Sequence, residues 1–476
     1  RYPKKFIQAF KIANQLNIPI VVLKVGRTDL AAELAISHSG ALAGSDQCYS
    51  ALFDQYGVQR VADMDQLATT LIMFAQPKMV SEGGLVCLHD SGGERQLLID
   101  LADSVDVPLA QLSDPTVTSL EGLLDPGLPA VNPLDAWGAG GPHAPEKMAA
   151  CFTAILNDQN AALGAVVHDR GPSSEVYSSY MTYLHQGQRT TGKPVFLVAN
   201  RQGSGADELA ITSTHQGFPV IDGVSQFLVG ARCLMNYRDF QQREPMQVIG
   251  VDRDKCDYWR ERLGSETKVS ETLASQCLAD LGLPMLQSVL VGSQIEVKSA
   301  AAATGFPLVL KTAQPGIEHK SDVGGVNLNI LDEAELLAAY SDMAKRLGPQ
   351  AMIAPMMQSN GVEMILGVSR DSQFGPTVVV GFGGVYAEVL GDIAVLMPPF
   401  DSATVKRALQ RLSMAEILAG VRGAPKADVD SYCEAAARLS EIALMLADTV
   451  AEVDINPIKI SVDGCVGLDA LMVLLK

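Results

Sequence analysis

No apolar run in the 476-residue sequence reaches the ~18 residues that a membrane-crossing helix needs. No basic n-region, apolar h-region and small-residue cleavage site opens it, so no secretory leader is read there. Basic charge is scarce: 36 Lys and Arg stand against 54 Asp and Glu, a net charge of -18. That balance excludes a general binder of nucleic acid or anionic membrane. Any site for a phosphorylated ligand must then be locally positive or built from backbone N–H groups. The eight cysteines, at 48, 87, 151, 233, 256, 277, 433 and 465, form no C-x-x-C pair. Free thiols in a reducing cytoplasm fit this scatter better than disulfides or a zinc site. What is present is 47% hydrophobic and 19% charged, the make-up of a soluble enzyme with large cores. The length predicts two to four domains.

Residues 1–80 read as a helix, the strand "IPIVVLKVG", a turn around His38 and a second helix from Asp46. In that second helix Tyr49, Leu52, Phe53 and Tyr56 recur at helical spacing. This is about half of an open α/β domain, so the sequence is expected to begin inside one, with the rest upstream or on a partner chain. Residues 81–236 alternate strands ("GLVCLHD", "VPLAQL", "ALGAVVHD", "KPVFLVAN") with helices, one of which begins near Glu175. That alternation predicts a parallel sheet covered on both faces. Residues 237–268 are polar and charged and read as a connection. Residues 269–476 hold a helix, then strands broken by glycine loops, a mixed α+β pattern.

Four stretches carry chemistry. "LAISHSGALAGSD" places His38 among small residues before a helix. "LVLKTAQPGIEHKSDVGGV" ends a strand at Lys311 and continues into a loop with Gly316, Gly324 and Gly325 around His319, Lys320, Ser321 and Asp322. Glycines admit phosphate to the backbone and lysine neutralises it, although a purely structural loop fits the bare pattern as well. "GVEMILGVSRDSQFGPTVVVGFGGVYAEVLGD" carries Glu363 and the glycines Gly381, Gly383 and Gly384. "AEVDINPIKISVDGCVGLDA" sets Asp454 and Asn456 two apart on one strand face, with Asp469 expected on the paired strand. Oxygen ligands from Asn456 and Asp469 suit Mg²⁺, which fills its remaining positions with water and phosphate. A merely polar strand end is the other reading.

Together "VLKT", "HKSDVGGV", "GVEMILG", "DSQFGP", "GFGGVYAEVLGD" and "EVDINPI" resemble, in order, the ATP-grasp domain of the acyl-CoA synthetases that form a nucleoside diphosphate. This is the superfamily of succinyl-CoA synthetase and the ADP-forming acetyl-CoA synthetases. "VVLKVGRTDLAAELAISHSGALAGSD", "CLHDSGGERQLLIDLADS" and "AVNPLDAWG" extend the resemblance over nearly the whole chain. It implies flavodoxin-like parallel-sheet ligase domains at 1–80 and 81–236, a linker at 237–268 and an ATP-grasp (α+β) domain at 269–476.

The resemblance also implies roles. His38 is the phosphorylated residue, with His319 as a second, relaying histidine. An imidazole accepts phosphate only where an added dianion is tolerated, and small neighbours such as Ser39 and Gly40 leave that room. Ser91, Gly92 and Gly93 open a helix directly after a strand, and its N–H groups and positive end favour the same phosphate. Lys311, Glu363, Gly383 and Gly384 fall to ATP, and Asn456 and Asp469 to Mg²⁺. The family's glutamate some forty residues before its histidine would precede Arg1, and the CoA-binding domain that opens fused members is not in this sequence.

The expected activity is a cytoplasmic carboxylate–CoA ligase using ATP, Mg²⁺ and coenzyme A, without nucleic-acid or membrane partners and assembled as a homo-oligomer, in the simplest case a dimer. Trp137 follows "NPLDA", where relatives that handle acetate have a smaller residue. It is either core or one wall of an acyl pocket. A wall of that kind suits a hydroxycinnamate such as ferulate, or a cationic acid such as dimethylsulfoniopropionate through cation–π attraction, with Glu175 nearby. Rival readings are an ATP-grasp carboxylate–amine ligase, which needs no His38, and a regulator that senses nucleotide or acyl-CoA.

Overall fold

The computed structural model describes residues 3–28, 30–31, 45–76, 78–168, 176–201, 208–317, 320, 322–357, 361–384, 391–421 and 423–475. His38, Ser39, Gly40, Glu175 and His319 lie outside them. The chain forms two compact units, one of residues 2–32 and 53–244, the other of residues 33–52 and 245–476 together with residue 1.

The first unit begins with α1 (Pro3–Gln15) and β1 (Val21–Leu23), and after α2 (Asp46–Tyr56) continues with β2 (Gln59–Val61) and α3 (Met64–Phe74). β1 and β2 pair in parallel, Val21 opposite Gln59. Asp63 caps α3, its carboxylate accepting the Gln66 N–H at 2.7 Å. There follow β3 (Gly84–His89), α4 (Gly92–Ser104), α5 (Asp114–Glu121), β4 (Leu134–Asp135), α6 (Ala144–Asn157) and β5 (Ala161–His168). The unit closes with α7 (Val176–Thr191), β6 (Val195–Ala199), α8 (Glu208–His215), β7 (Val220–Asp222) and α9 (Val224–Gln241).

These strands build a parallel sheet in the order β4-β3-β5-β6-β7. Every residue of β3, β5 and β6 is buried, as the continuous apolar runs require when helices cover both faces. Numbered within the sheet the order is 2-1-3-4-5, the flavodoxin-like arrangement. "VPLAQL" is not a strand. Only Leu85 and Leu109 bridge, and the Asn132 amide takes the other ladder positions, donating to Leu85 O at 2.8 Å and Ala110 O at 2.9 Å. On α9, Gly230 lets Met73 of α3 approach: a Cβ there would lie 2.3 Å from its sulfur.

The second unit continues with α10 (Arg253–Gly264) and α11 (Glu271–Asp280). The polar stretch 237–268 is therefore no bare connection: it holds the end of α9 and all of α10, whose Trp259 is 1% exposed. Next come β8 (Val289–Val291), α12 (Gln294–Thr304), β9 (Leu308–Thr312), β10 (Val326–Ile330), α13 (Glu333–Leu347) and β11 (Ala351–Pro355). They form a four-stranded sheet, β10-β9-β11-β8, under α12 and α13. The larger sheet uses β12 (Val362–Asp371), β13 (Gly375–Phe382) and β14 (Ile393–Leu396), then α14 (Ser402–Gln410), α15 (Val429–Met445), β15 (Val450–Ser461), β16 (Gly464–Gly467) and β17 (Leu471–Leu474). Its order is β14-β13-β12-β15-β16, with β17 on the free part of β15. Tyr432 of α15 is fully buried beneath it, donating to Ile365 O at 2.6 Å and accepting the Gly381 N–H at 3.3 Å.

Candidate functional site

Two clusters of polar groups stand out, one in each unit. In the second unit β9 ends near Lys311, and its ammonium reaches the end of β16. It donates to Leu468 O at 3.0 Å and lies 3.5 Å from Asp469 Oδ2 and 3.6 Å from Glu271 Oε1. Lys320 meets the other oxygen of Glu271 at 2.5 Å. Burial works against the Lys320 charge, but Asp469 and then Glu271 outweigh it and hold the ammonium above the usual lysine range. Two lysines and two acids thus share a half-buried patch, where charges interact more strongly than in water.

Asp469 is not on a paired strand, because β16 stops at Gly467 and β17 begins at Leu471. It rides on the loop between them. That loop is pinned at one end by the Leu468 N–H on Pro457 O at 2.9 Å and at the other by Leu471 opposite Asp454. It therefore runs beside the Asp454–Pro457 stretch of β15. Here the β12–β15 register also slips, Met364 facing Ile458 while Leu366 faces Ile455, so Asn456 sits at a bulge. Asp454 Oδ1 is buried with no partner, and its carboxyl is pushed up by burial first, then by Glu452 and Asp469. Among the described residues no three His, Cys, Asp or Glu side chains form a closed metal cage. An orphaned carboxylate oxygen near a second acid and an asparagine nevertheless fits Mg²⁺, which takes one or two carboxylates and leaves positions for phosphate.

Glu363, Gly383 and Gly384 come together at the start of β12, next to the register slip at Met364 and Leu366. Gly383 N–H donates to Glu363 O at 2.9 Å, and a Cβ on Gly384 would lie 2.6 Å from Glu363 Oε2. With φ at +79°, Gly384 is doubly restricted to glycine.

In the first unit the second cluster lies at the C-terminal ends of β3 and β5, where the strand order reverses. Open α/β sheets bind ligands at that point. Ser91 precedes α4 without a side-chain cap bond, leaving the N–H groups of the first turn to other acceptors. Asp135 Oδ2 would be 3.3 Å from a Cβ on Gly92, and its Oδ1 accepts the Trp137 N–H at 3.2 Å. Trp137 is 49% exposed and so is not a core residue.

Behind this helix start are residues the sequence reading passed over. His89 is 1% exposed, and neither ring nitrogen has a hydrogen-bond partner. Burial and then the Arg95 charge push its pKa down to about 4, so the imidazole is neutral near pH 7. The Tyr180 hydroxyl donates to Asp90, and its ring stacks on His168 at 4.2 Å. A histidine directly before "DSGG", at the end of an otherwise apolar strand, was the available signal for His89. Glu271 was likewise overlooked as a site residue, whereas Lys320 and Asp454 stand in the stretches read as chemical but were given no role of their own.

Two lysines beside Asp469 and the unpartnered oxygen of Asp454, and an uncapped helix start at a sheet's switch point, have the chemistry that phosphorylated ligands require. Residues 262–474 match the ATP-grasp domain model, and residues 1–74 the succinyl-CoA ligase like flavodoxin domain model. The chain is 32% identical over 211 residues to the subunit beta of acetate–CoA ligase (ADP-forming) I of Pyrococcus furiosus, covering 43% of this chain and 90% of that subunit. It is 28% identical over 493 residues to trans-feruloyl-CoA synthase FCS1 of an unknown prokaryotic organism, covering 100% of this chain and 67% of that protein. A structure of acetyl-coenzyme A synthetase 1 from Ca. Korarchaeum cryptofilum, in complex with coenzyme A, Ca-AMPCP and HgCl⁺, aligns with a TM-score of 0.43 at 29% identity, over 47% of this chain and 99% of that one. The chain belongs to the family of ADP-forming acyl-CoA ligases, which use ATP, Mg²⁺ and coenzyme A. No helix among the described residues is long and apolar enough to cross a membrane.

Proposed function

We propose that this chain joins a carboxylic acid larger than acetate to coenzyme A, with ATP hydrolysed to ADP and phosphate through a phosphohistidine at His38. The observation that carries the ATP half is the Lys311–Asp469–Glu271 contact beside the unpartnered oxygen of Asp454. The lysines, held by acids in the free chain, would turn to the incoming phosphates. Asp454, Asn456 and Asp469 would hold Mg²⁺, which when bound offsets phosphate charge. In this reading His38 takes the γ-phosphoryl group, ADP leaves, and a substrate carboxylate oxygen takes the phosphoryl from His38 as acyl phosphate. The CoA sulfur then attacks the acyl carbon and phosphate departs. The start of α4, at Ser91, Gly92 and Gly93, would accept the phosphoryl group in its second setting. His319 would act as relay. The domain limits 1–80, 81–236 and 269–476 belong to the same proposal.

For the acid, the exposed Trp137 beside Asp135 supports a wall of an acyl pocket, with Glu175 as a nearby charge. The likeness to a feruloyl-CoA synthase favours ferulate or a similar hydroxycinnamate over acetate. Dimethylsulfoniopropionate is the second reading, favoured by the attraction of an exposed indole for a sulfonium.

The test is discharge of the phosphorylated chain. Labelled chain is offered ferulate, dimethylsulfoniopropionate or acetate with hydroxylamine present, which traps acyl phosphate as hydroxamate. One of the first two should discharge the label fastest and yield its hydroxamate. Fastest discharge by acetate would overturn the substrate assignment, and no discharge by any acid would overturn the reaction.

A further inference from the structure

The helix that follows the His38 stretch is fastened to one hairpin. Ser45, directly before α2, donates its N–H to Asp371 Oδ2 at 3.0 Å across 326 residues of sequence. The other oxygen of Asp371 accepts the N–H groups of Gln373 at 2.7 Å and Phe374 at 3.0 Å. One carboxylate thus shapes the β12–β13 turn and also holds the start of α2. A helical turn later the Tyr49 hydroxyl donates to Gln373 Oε1 at 3.1 Å, and its ring meets Phe374 edge-on at 5.0 Å. Cys48 lies between them, 4% exposed, its thiol pushed up to about 12 by burial and then by Asp371. Residues 45–49 and 371–374 belong to the same compact unit.

A tight turn needs only one oxygen of its aspartate. The second oxygen, the tyrosine and the ring contact serve a different end. His38 precedes Ser45 by seven residues, a stretch that spans at most ~25 Å when extended. Asp371 lies five residues along β12 from Leu366, the position opposite Ile455 and next to Asn456, which is ~17 Å of strand. A seven-residue tether rooted at Ser45 is therefore long enough to span that distance without leaving its anchor. Anchoring the root raises the local concentration of the imidazole there and lowers the entropy lost on approach.

We propose that the Asp371–Phe374 turn is a dock for the root of the phosphohistidine segment, with Asp371 and Tyr49 as positioning residues for phosphoryl transfer between ATP and His38. This rests on the reading of His38 and the ATP site given above. Neither residue touches the reacting atoms.

The test uses the full chain and the variants Asp371→Asn, Tyr49→Ala and Tyr49→Phe. Asparagine keeps one turn oxygen, and phenylalanine keeps the ring contact. Three quantities are measured: the rate of acid-labile labelling by γ-labelled ATP at saturation, the affinity for ATP, and hydrogen exchange in residues 46–52. Asp371→Asn and Tyr49→Ala should label at least tenfold more slowly, bind ATP unchanged and exchange faster in 46–52, with Tyr49→Phe between them and wild type. Labelling at the wild-type rate despite faster exchange would overturn the dock. So would a loss of ATP affinity that matches the loss of rate, since that marks a structural role. A wild-type chain that takes no label on His38 would instead sink the underlying reaction, while the exchange data would still report whether the root is fastened.

Discussion

The Leu468 N–H donates to the carbonyl of Pro457 at 2.9 Å, and this bond carries the loop of Asp469 past the strand position of Asn456. The same loop supplies the carbonyl that Lys311 binds at 3.0 Å. One short connection between β16 and β17 thus brings Lys311, the proposed phosphate-binding lysine, and candidate metal ligands to one place.

Replacing Lys311 with methionine should weaken ATP binding by about ten- to a hundredfold, the worth of one charge-assisted hydrogen bond of ~1.5–3 kcal/mol. Calorimetric titration with a non-hydrolysable ATP analogue measures it. Unchanged affinity would mean that the lysine serves only its acid partners.

Asp454→Asn, Asn456→Ala and Asp469→Ala should each raise the Mg²⁺ concentration needed for labelling by ATP, because each removes an oxygen or charge that Mg²⁺ prefers. Labelling of His38 by acyl phosphate should survive. A Mg²⁺ titration with each phosphate donor separates the two, and equal loss from both would make these residues structural.

Much of this arrangement was legible in the sequence. The period-two spacing of Asp454 and Asn456 gave their common strand, and the ATP-grasp half came from the resemblance of six stretches, "VLKT" to "EVDINPI", in their order. Asp469 was misplaced onto a strand because four residues of β16 look no different from the loop that follows. Glu271 was not singled out within the helix that opens this region, since its partners Lys311 and Lys320 are distant in sequence. The helix in the polar stretch 253–264 was hidden by its low hydrophobicity; three apolar residues, Cys256, Trp259 and Leu263, bury it.

His89 should make the first unit acid-sensitive. Its folded pKa of about 4 lies below the unfolded value near 6.5, so the unfolded chain binds more protons between those limits. Stability should be full above pH ~6.5 and fall as the pH drops towards 4, by up to about 3 kcal/mol. His89→Leu should flatten that part of the profile. Urea unfolding at pH 7 and pH 5 measures it, and parallel losses in both proteins would show that other groups dominate.

Tyr432→Phe removes the hydroxyl between Ile365 O and the Gly381 N–H and leaves both buried. Destabilisation of ~1–3 kcal/mol is expected, with ATP affinity unchanged. Thermal unfolding with and without ATP checks both halves of the expectation.

Trp137→Ala should weaken use of the native acid by roughly two- to thirtyfold, the equivalent of ~0.5–2 kcal/mol, and leave acetate unaffected. Trp137→Phe should recover most of the loss for a stacked hydroxycinnamate and less of it for a sulfonium. A substrate panel in which every acid loses the same factor would place the pocket elsewhere.

The central claim is that His38 carries the phosphoryl group, and γ-labelled ATP tests it most directly. The chain is incubated with labelled ATP and Mg²⁺, and the protein-bound label is tested for stability in acid and in base. Wild type should take up label that is lost in acid and kept in base, with one ADP released per label, and His38→Ala should take up none. Equal labelling of the His38→Ala protein would contradict the account.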